Sequence, residues 1–340
     1  KVGQMFFVRC PDEGAVQQVS EYNIGGYILF GRDFDGKTKD EVLDDIHSYQ
    51  NEADIPLLIG VDEEGGTVVR VSSNPNLREN PFLSPKDTYA DGGWDAVKQD
   101  AEEKADLLLS LGINVNLAPV CDMTSDEYGF MYDRSFSSDV DMENRYVRTV
   151  VETSKSKKLG TVLKHFPGYG NNSDTHTGIA YDDRDYSEFE NTDFKPFYQG
   201  IESGADCILV SHNIVNCMDS EYPASLSQKV HDILRNEFKF DGVIMTDDLI
   251  MDAITDFTGD EAAAVTAAKC GNDLLCCSSV DTQYPAVLEA VQNGEIPEAQ
   301  VDASVKRILK WKQNLGIFNI DTYQKKVKST EPTDTVESEE

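Results

Sequence analysis

Pro56-Leu57-Leu58-Ile59-Gly60-Val61 is an uninterrupted apolar run that stops at Asp62-Glu63-Glu64-Gly65-Gly66. It lacks the apolar–polar alternation of a half-exposed strand, so both of its faces are covered. A short strand buried on both faces belongs to a parallel sheet with helices packed against it. Similar runs recur at Val2–Phe7, Gly25–Phe30, Ile113–Val120, Thr161–His165, Cys207–Ser211, Val243–Thr246 and Asp273–Cys277, making eight in all. Helical patterns separate them. In Asp95–Leu111 the residues Val97, Ala101, Ala105 and Leu108 share one face, and Gly112 follows as a C-terminal glycine. Val301, Val305 and Ile308 repeat the pattern in Val301–Leu315, ahead of Gly316. Eight strands alternating with helices predict an α/β fold, a (β/α)8 TIM-type barrel in a single domain; a doubly wound open sheet is the alternative.

A barrel of this kind places its chemistry at the C-terminal ends of its strands. Four of the eight runs end in titratable groups: Asp62-Glu63-Glu64, Lys164-His165, Ser211-His212 and Asp247-Asp248. The opposite ends begin with apolar or small residues. One polar end is ordinary solvation, whereas four on one side predict a polar mouth that binds a polar ligand.

Composition narrows the partner. The 340 residues carry 30 Lys plus Arg against 62 Asp plus Glu, a formal net charge of −32. So acidic a chain offers no basic surface to nucleic acid or to an anionic membrane. No apolar stretch approaches the roughly 18 residues needed to span a bilayer. Seven cysteines, odd in number and without CxxC spacing, read as free thiols, with Cys207, Cys276 and Cys277 in buried strand-like runs. Ser72–Gly93, which contains Pro75, Pro81 and Pro85, reads as an irregular stretch over the surface. Residues 1–318 form the expected barrel, and 319–340 an acidic, disordered tail. The chain starts at Lys1 inside the first apolar run, which leads to the expectation that an upstream segment has been trimmed and that the protein is extracellular or in the cell envelope. Free cysteines make the cytoplasm the alternative.

Two places carry candidate chemistry. The segment Lys164-His165-Phe166-Pro167-Gly168-Tyr169-Gly170-Asn171-Asn172-Ser173-Asp174-Thr175-His176 leaves a strand and turns into a loop. Asp174 and His176 are two apart, so extended backbone points both side chains the same way. A carboxylate beside an imidazole makes a tunable acid/base. An isolated Asp-x-His is usually a turn with a solvated histidine, but this one follows a strand-end Lys-His pair. The other place is Asp247-Asp248, after Val243-Ile244-Met245-Thr246. Strand alternation sends one carboxylate into the mouth and the other away. Chemistry falls to Asp247, and capping or supporting work to Asp248. His165, His212, Asp62 and Asp247 also invite a metal-hydrolase reading, but no H-x-H or H-E-x-x-H spacing supports it; no metal and no cofactor are expected.

Together these residues resemble the single-domain β-N-acetylglucosaminidases of glycoside hydrolase family 3. The matching stretches are Ile59–Gly66 with Val69-Arg70, Leu117–Asp122, Arg134-Ser135-Phe136, the Lys164–His176 loop, Pro223–Ser227, Phe240–Leu249 and Val305–Leu309. They run in order from about residue 1 to residue 318. The resemblance implies that Asp247 is the nucleophile of a retaining mechanism with a covalent glycosyl-enzyme. It implies that Asp174 and His176 form an acid/base dyad, and that Asp62, Arg70, Arg134, Lys164 and His165 hold the sugar. The implied substrate is a carbohydrate ending in β-linked N-acetylglucosamine, from peptidoglycan or chitooligosaccharide fragments. Alternatives are a β-glucosidase, β-xylosidase or phosphorylase on the same barrel, or a non-catalytic sugar-binding barrel. Tyr169 departs from the histidine usual in the loop, and Thr175 from the usual serine. Larger family members add a second α/β domain that lends a carboxylate; the residues after this barrel are too few for one.

Overall fold

The computed structural model describes residues 1–170 and 178–324. Its strands are β1 (Phe6–Arg9), β2 (Gly26–Leu29), β3 (Leu58–Val61), β4 (Val115–Asn116), β5 (Gly160–Phe166), β6 (Tyr181–Asp182), β7 (Cys207–Val210), β8 (Ile214–Val215), β9 (Val243–Thr246) and β10 (Leu275–Cys277). Eight of them form one sheet in the order β10-β1-β2-β3-β4-β5-β7-β9, and every pairing is parallel. A parallel bridge between Met245 and Leu274 closes the sheet on itself, and the Thr246 N–H donates to the Leu274 carbonyl at 3.1 Å. The expected barrel forms, with the open sheet excluded. β6 and β8 pair separately as a short parallel ribbon.

The first strand differs from its expectation. Val2–Met5 is a 3-10 turn, and the strand runs over Phe6–Arg9. The cause is Gln4, whose side-chain amide donates to the carbonyls of Asn23 and Ile24 at 2.8 and 3.1 Å. The bond to the Ile24 carbonyl is buried, and together the two bonds hold the Gln4 segment beneath the barrel rather than in the sheet. Ser72–Gly93 is also corrected at its far end: a helix begins at Pro85 and continues to Ser110, with non-helical dihedrals at Gly92 and Gly93. Ser84 caps it, its side chain accepting from the Asp87 N–H at 3.2 Å, and Pro85 takes the first position, where no N–H is needed. The expected Asp95–Leu111 helix is the part after this break. Its predicted face is the buried one, and Gly112 ends it with a φ of +81°.

Inside the barrel the side chains interlock. A Cβ at Gly60 would lie 2.5 Å from the Phe7 ring and 3.0 Å from Leu117 Cδ1, so only glycine fits there. The Phe7 ring, 2% exposed, takes the space that this glycine leaves; truncating it to alanine costs about 3–5 kcal/mol. On the outside, Ala263, Ala264, Ala267 and Ala268 bring the Asp260–Cys270 helix close against the barrel wall. All seven cysteines are free thiols, with Cys207, Cys276 and Cys277 buried. No described helix is long and apolar enough to cross a membrane. Residues 320–324 form one further helical turn, and the Tyr323 ring sits 5.7 Å from that of Phe318.

Candidate active site

At the end of β3 the chain alternates. Asp62 and Glu64 line a cavity of about 540 Å³ at the C-terminal mouth of the barrel, while Glu63 turns into the wall. Glu63 Oε2 accepts from the N–H groups of Arg70 and Val71 at 2.9 and 2.7 Å, and Oε1 accepts from the Ser72 hydroxyl. A carboxylate that is fully buried is thereby satisfied, and the loop is folded back so that Arg70 lines the same cavity. Gly65 sits at the fold-back with a φ of +104°, where a Cβ would collide with the Leu83 carbonyl.

β5 delivers two adjacent residues to the mouth. Its register with β7 shifts between Leu163 and Phe166, and this irregularity lets Lys164 and His165 both line the cavity. Lys164 Nζ lies 2.6 Å from Asp62 Oδ1 and 2.6 Å from Glu64 Oε1. Arg134 grips Glu64 with two parallel bonds, Nε to Oε2 at 2.9 Å and Nη2 to Oε1 at 2.7 Å. Burial alone would raise the Glu64 carboxyl, but Lys164 and Arg134 override it and hold the group well below the usual carboxylate range. Burial would likewise lower Lys164, yet Asp62 and Glu64 leave it above its ordinary value.

Arg134 Nη2 also reaches His165 Nε2 at 3.2 Å. A guanidinium can only donate, so Nε2 accepts and the ring proton sits on Nδ1. That proton is donated to Asp122 Oδ2 at 2.6 Å, and the remaining Asp122 oxygen accepts from the Tyr169 N–H at 2.7 Å. Asp122 is fully buried and fixes both the His165 ring and the start of the loop. Tyr169, 2% exposed, packs edge-on to His165 with ring centroids 5.3 Å apart.

On the β9 side Asp247 lines the cavity, and its Oδ1 accepts from the Asp248 N–H at 2.9 Å. Asp248 is tied down by the Ser278 hydroxyl and by the Ile250 N–H at 3.2 Å. Burial raises its carboxyl. Asp248 lines the cavity as well, against the expectation that alternation would turn it away, and it closes a turn beside Asp247 rather than capping the next helix. His212 is corrected as a mouth residue. It is fully buried, donates from Nε2 to the Asp248 carbonyl at 2.9 Å and meets Ser225 Oγ at 2.7 Å through Nδ1, so it braces the turn from outside the cavity. Ser211 is buried too, bonded to the Phe166 carbonyl at 3.0 Å. Among the described residues no group of three or more His, Cys, Asp or Glu is placed to hold a metal ion.

The structure brings Asp62, Arg70, Arg134, Lys164, His165 and Asp247 to one cavity. Asp174 and His176 lie outside the described residues, between Gly170 and Gly178. Sequence reasoning assigned no role to three residues of the site: Glu64, Asp122 and Arg9. Arg9 ends β1, lines the cavity and lies over the Phe30 ring at 4.7 Å. Once β1 is placed over Phe6–Arg9, its charge is a fifth strand-end signal.

Residues 1–311 match the glycosyl hydrolase family 3 N-terminal domain. The β-hexosaminidase of Hydrogenovibrio crunogenus is 31% identical over 286 residues, covering 82% of this chain and 79% of that protein. The β-hexosaminidase LpqI of Mycobacterium tuberculosis is 31% identical over 326 residues, covering 91% and 81%. Among solved structures, a glycoside hydrolase family 3 β-N-acetylglucosaminidase from a Paenibacillus species superposes with a TM-score of 0.86 at 29% identity; the match covers 93% of this chain and 62% of that one. The LpqI structure superposes with a TM-score of 0.81 at 27% identity, covering 92% of each chain.

Proposed function

The chain belongs to the glycosyl hydrolase family 3 N-terminal domain family, and from that membership we propose that it is a retaining β-N-acetylglucosaminidase. Its substrate is a carbohydrate with terminal β-linked N-acetylglucosamine, such as a peptidoglycan or chitooligosaccharide fragment. The supporting observation is the arrangement of charge around one cavity: the Asp247 carboxylate lines it together with a network in which Lys164 and Arg134 already neutralise Asp62 and Glu64. That network presents fixed donors and acceptors to sugar hydroxyls without adding free charge.

In this reading Asp247 attacks the anomeric carbon and forms the glycosyl-enzyme, and water then releases the sugar with retention. Asp62, Arg70, Arg134, Lys164 and His165 hold the sugar. His176, oriented by Asp174, protonates the leaving oxygen and later takes a proton from water. A histidine donor must be protonated in the first step, so glycosylation slows as pH rises through its pKa. The curated relatives named β-hexosaminidase support the acetamido sugar over an unsubstituted one.

The test is hydrolysis of aryl β-N-acetylglucosaminide beside aryl β-glucoside and β-xyloside, with wild type and Asp247→Ala. Turnover of the acetamido sugar alone, lost in the variant while the fold persists, is the expected result. Preference for an unacetylated sugar overturns the specificity. Activity retained in Asp247→Ala overturns the nucleophile. No turnover of any of them, with or without phosphate, returns the non-catalytic alternative.

A further inference from the structure

Arg184 sits where the segment leaving β5 meets β6. Its Nε and Nη2 donate to Asp182 at 3.1 and 2.8 Å, Nη1 donates to Asp193 Oδ2 at 2.9 Å, and Nη2 donates to the Gly168 carbonyl at 3.3 Å. The guanidinium lies over the Phe189 ring at 4.2 Å, and Asp182 and Asp193 are both buried. The two glycines of the outgoing turn rest directly on this cluster. A Cβ at Gly170 would lie 2.7 Å from the guanidinium carbon, and one at Gly168 would lie 2.3 Å from Asp193 Oδ1. Their φ values of +54° and +120° lie in the left-handed region that favours glycine. Neither Arg184 nor its two aspartates line the cavity that holds Asp247, so they do not touch the sugar there.

The chain leaves the cluster at Gly168–Gly170 and returns to it at Asp182. Between those points lie Asp174 and His176. We propose that Arg184 is a positioning residue for proton donation: its planar fork ties the outgoing backbone to the returning strand and so sets both ends of the acid/base segment. The proposal rests on the acid/base reading above. A rigid fork can hold Asp182, Asp193 and the Gly168 carbonyl at once, which the single ammonium of lysine cannot reproduce.

The experiment compares a 2,4-dinitrophenyl β-N-acetylglucosaminide, whose leaving group needs no proton, with a methyl β-N-acetylglucosaminide, whose leaving group does. Wild type, Arg184→Lys, Asp193→Asn and His176→Ala are assayed on both, with melting temperature measured alongside. Asp193→Asn removes one anchor and keeps the Asp182 pair, so it carries the test if Arg184→Lys does not fold. In the Arg184 and Asp193 variants kcat/KM, which reports the glycosylation step and not the later attack by water, falls by roughly 10- to 100-fold for the methyl glycoside, the scale of a small misplacement, while kcat/KM for the dinitrophenyl substrate changes far less. Equal loss on both substrates makes Arg184 a fold brace only and overturns the proposal. Selective loss in His176→Ala but not in the other two variants also overturns it, leaving the acid/base reading intact. Absence of selective loss in His176→Ala removes that reading, and the Arg184 proposal falls with it.

Discussion

Lys164 and Lys312 are buried to the same degree, yet the protein treats them in opposite ways. Lys164 stands at the C-terminal mouth of the barrel between Asp62 and Glu64, and its pKa is raised. Lys312 lies near the opposite end, where Nζ donates to Gln4 Oε1 at 2.8 Å, and burial pulls it from 10.5 down to about 7. Desolvation acts on both; only the carboxylates differ. The mouth is built to keep charge in place, as a site that binds and cleaves a polar ligand needs. The base is built to tolerate neutrality, which is a matter of packing.

The largest break in this contrast is Lys164→Met. It leaves Asp62 and Glu64 as buried carboxylates short of a cation, and unfolding free energy from denaturant titration is expected to drop by about 3–5 kcal/mol, with turnover lost. Arg134→Lys is milder. Charge is kept, but the two-bond grip on Glu64 and the donor to His165 Nε2 are not, and the loss is expected near 1.5–3 kcal/mol, with KM for the sugar raised. Lys312→Met sharpens the contrast with the smallest effect. Because the folded pKa of Lys312 lies below the unfolded one, the unfolded chain binds the extra proton between pH about 7 and 10.5, so this group makes stability rise with pH across that window. Lys164 acts in the other direction: its contribution is full below the unfolded lysine pKa and disappears as pH climbs through the raised folded value. Melting temperature against pH is therefore expected to lose its rise above neutrality in Lys312→Met. An unchanged profile would show that the two lysines do not differ in the way described.

Much of the mouth was legible in the linear chain because strand-end residues announce themselves. Asp62, Lys164-His165 and Asp247 follow apolar runs directly; alternation places Asp62 and Asp247 inward, whereas Lys164 and His165 face the cavity together only because of the irregularity in β5. The same rule failed at Ser211-His212, which follow β7 just as closely but turn into the wall. Nothing local distinguishes them from Lys164-His165; the difference is the bulge in β5, set by its pairing with β7. Arg9 was hidden by a two-residue misplacement of the first strand, and that error came from Gln4, whose partners lie at Asn23 and Ile24.

By itself the sequence determined the number of barrel strands, their parallel arrangement, the end of the barrel that carries charge, and most of the groups there, but not the β6–β8 ribbon. Those properties follow from short-range hydrophobic period and from where each period stops. Tertiary structure alone decided which charges neutralise one another. Glu64 meets Arg134 from 70 residues away and Lys164 meets Asp62 from 102, while Asp122 fixes His165 across 43. Pattern reports that a residue is buried, but the partner that makes burial of a charge tolerable is supplied by closure of the barrel, which brings strand ends distant in the chain within hydrogen-bonding reach.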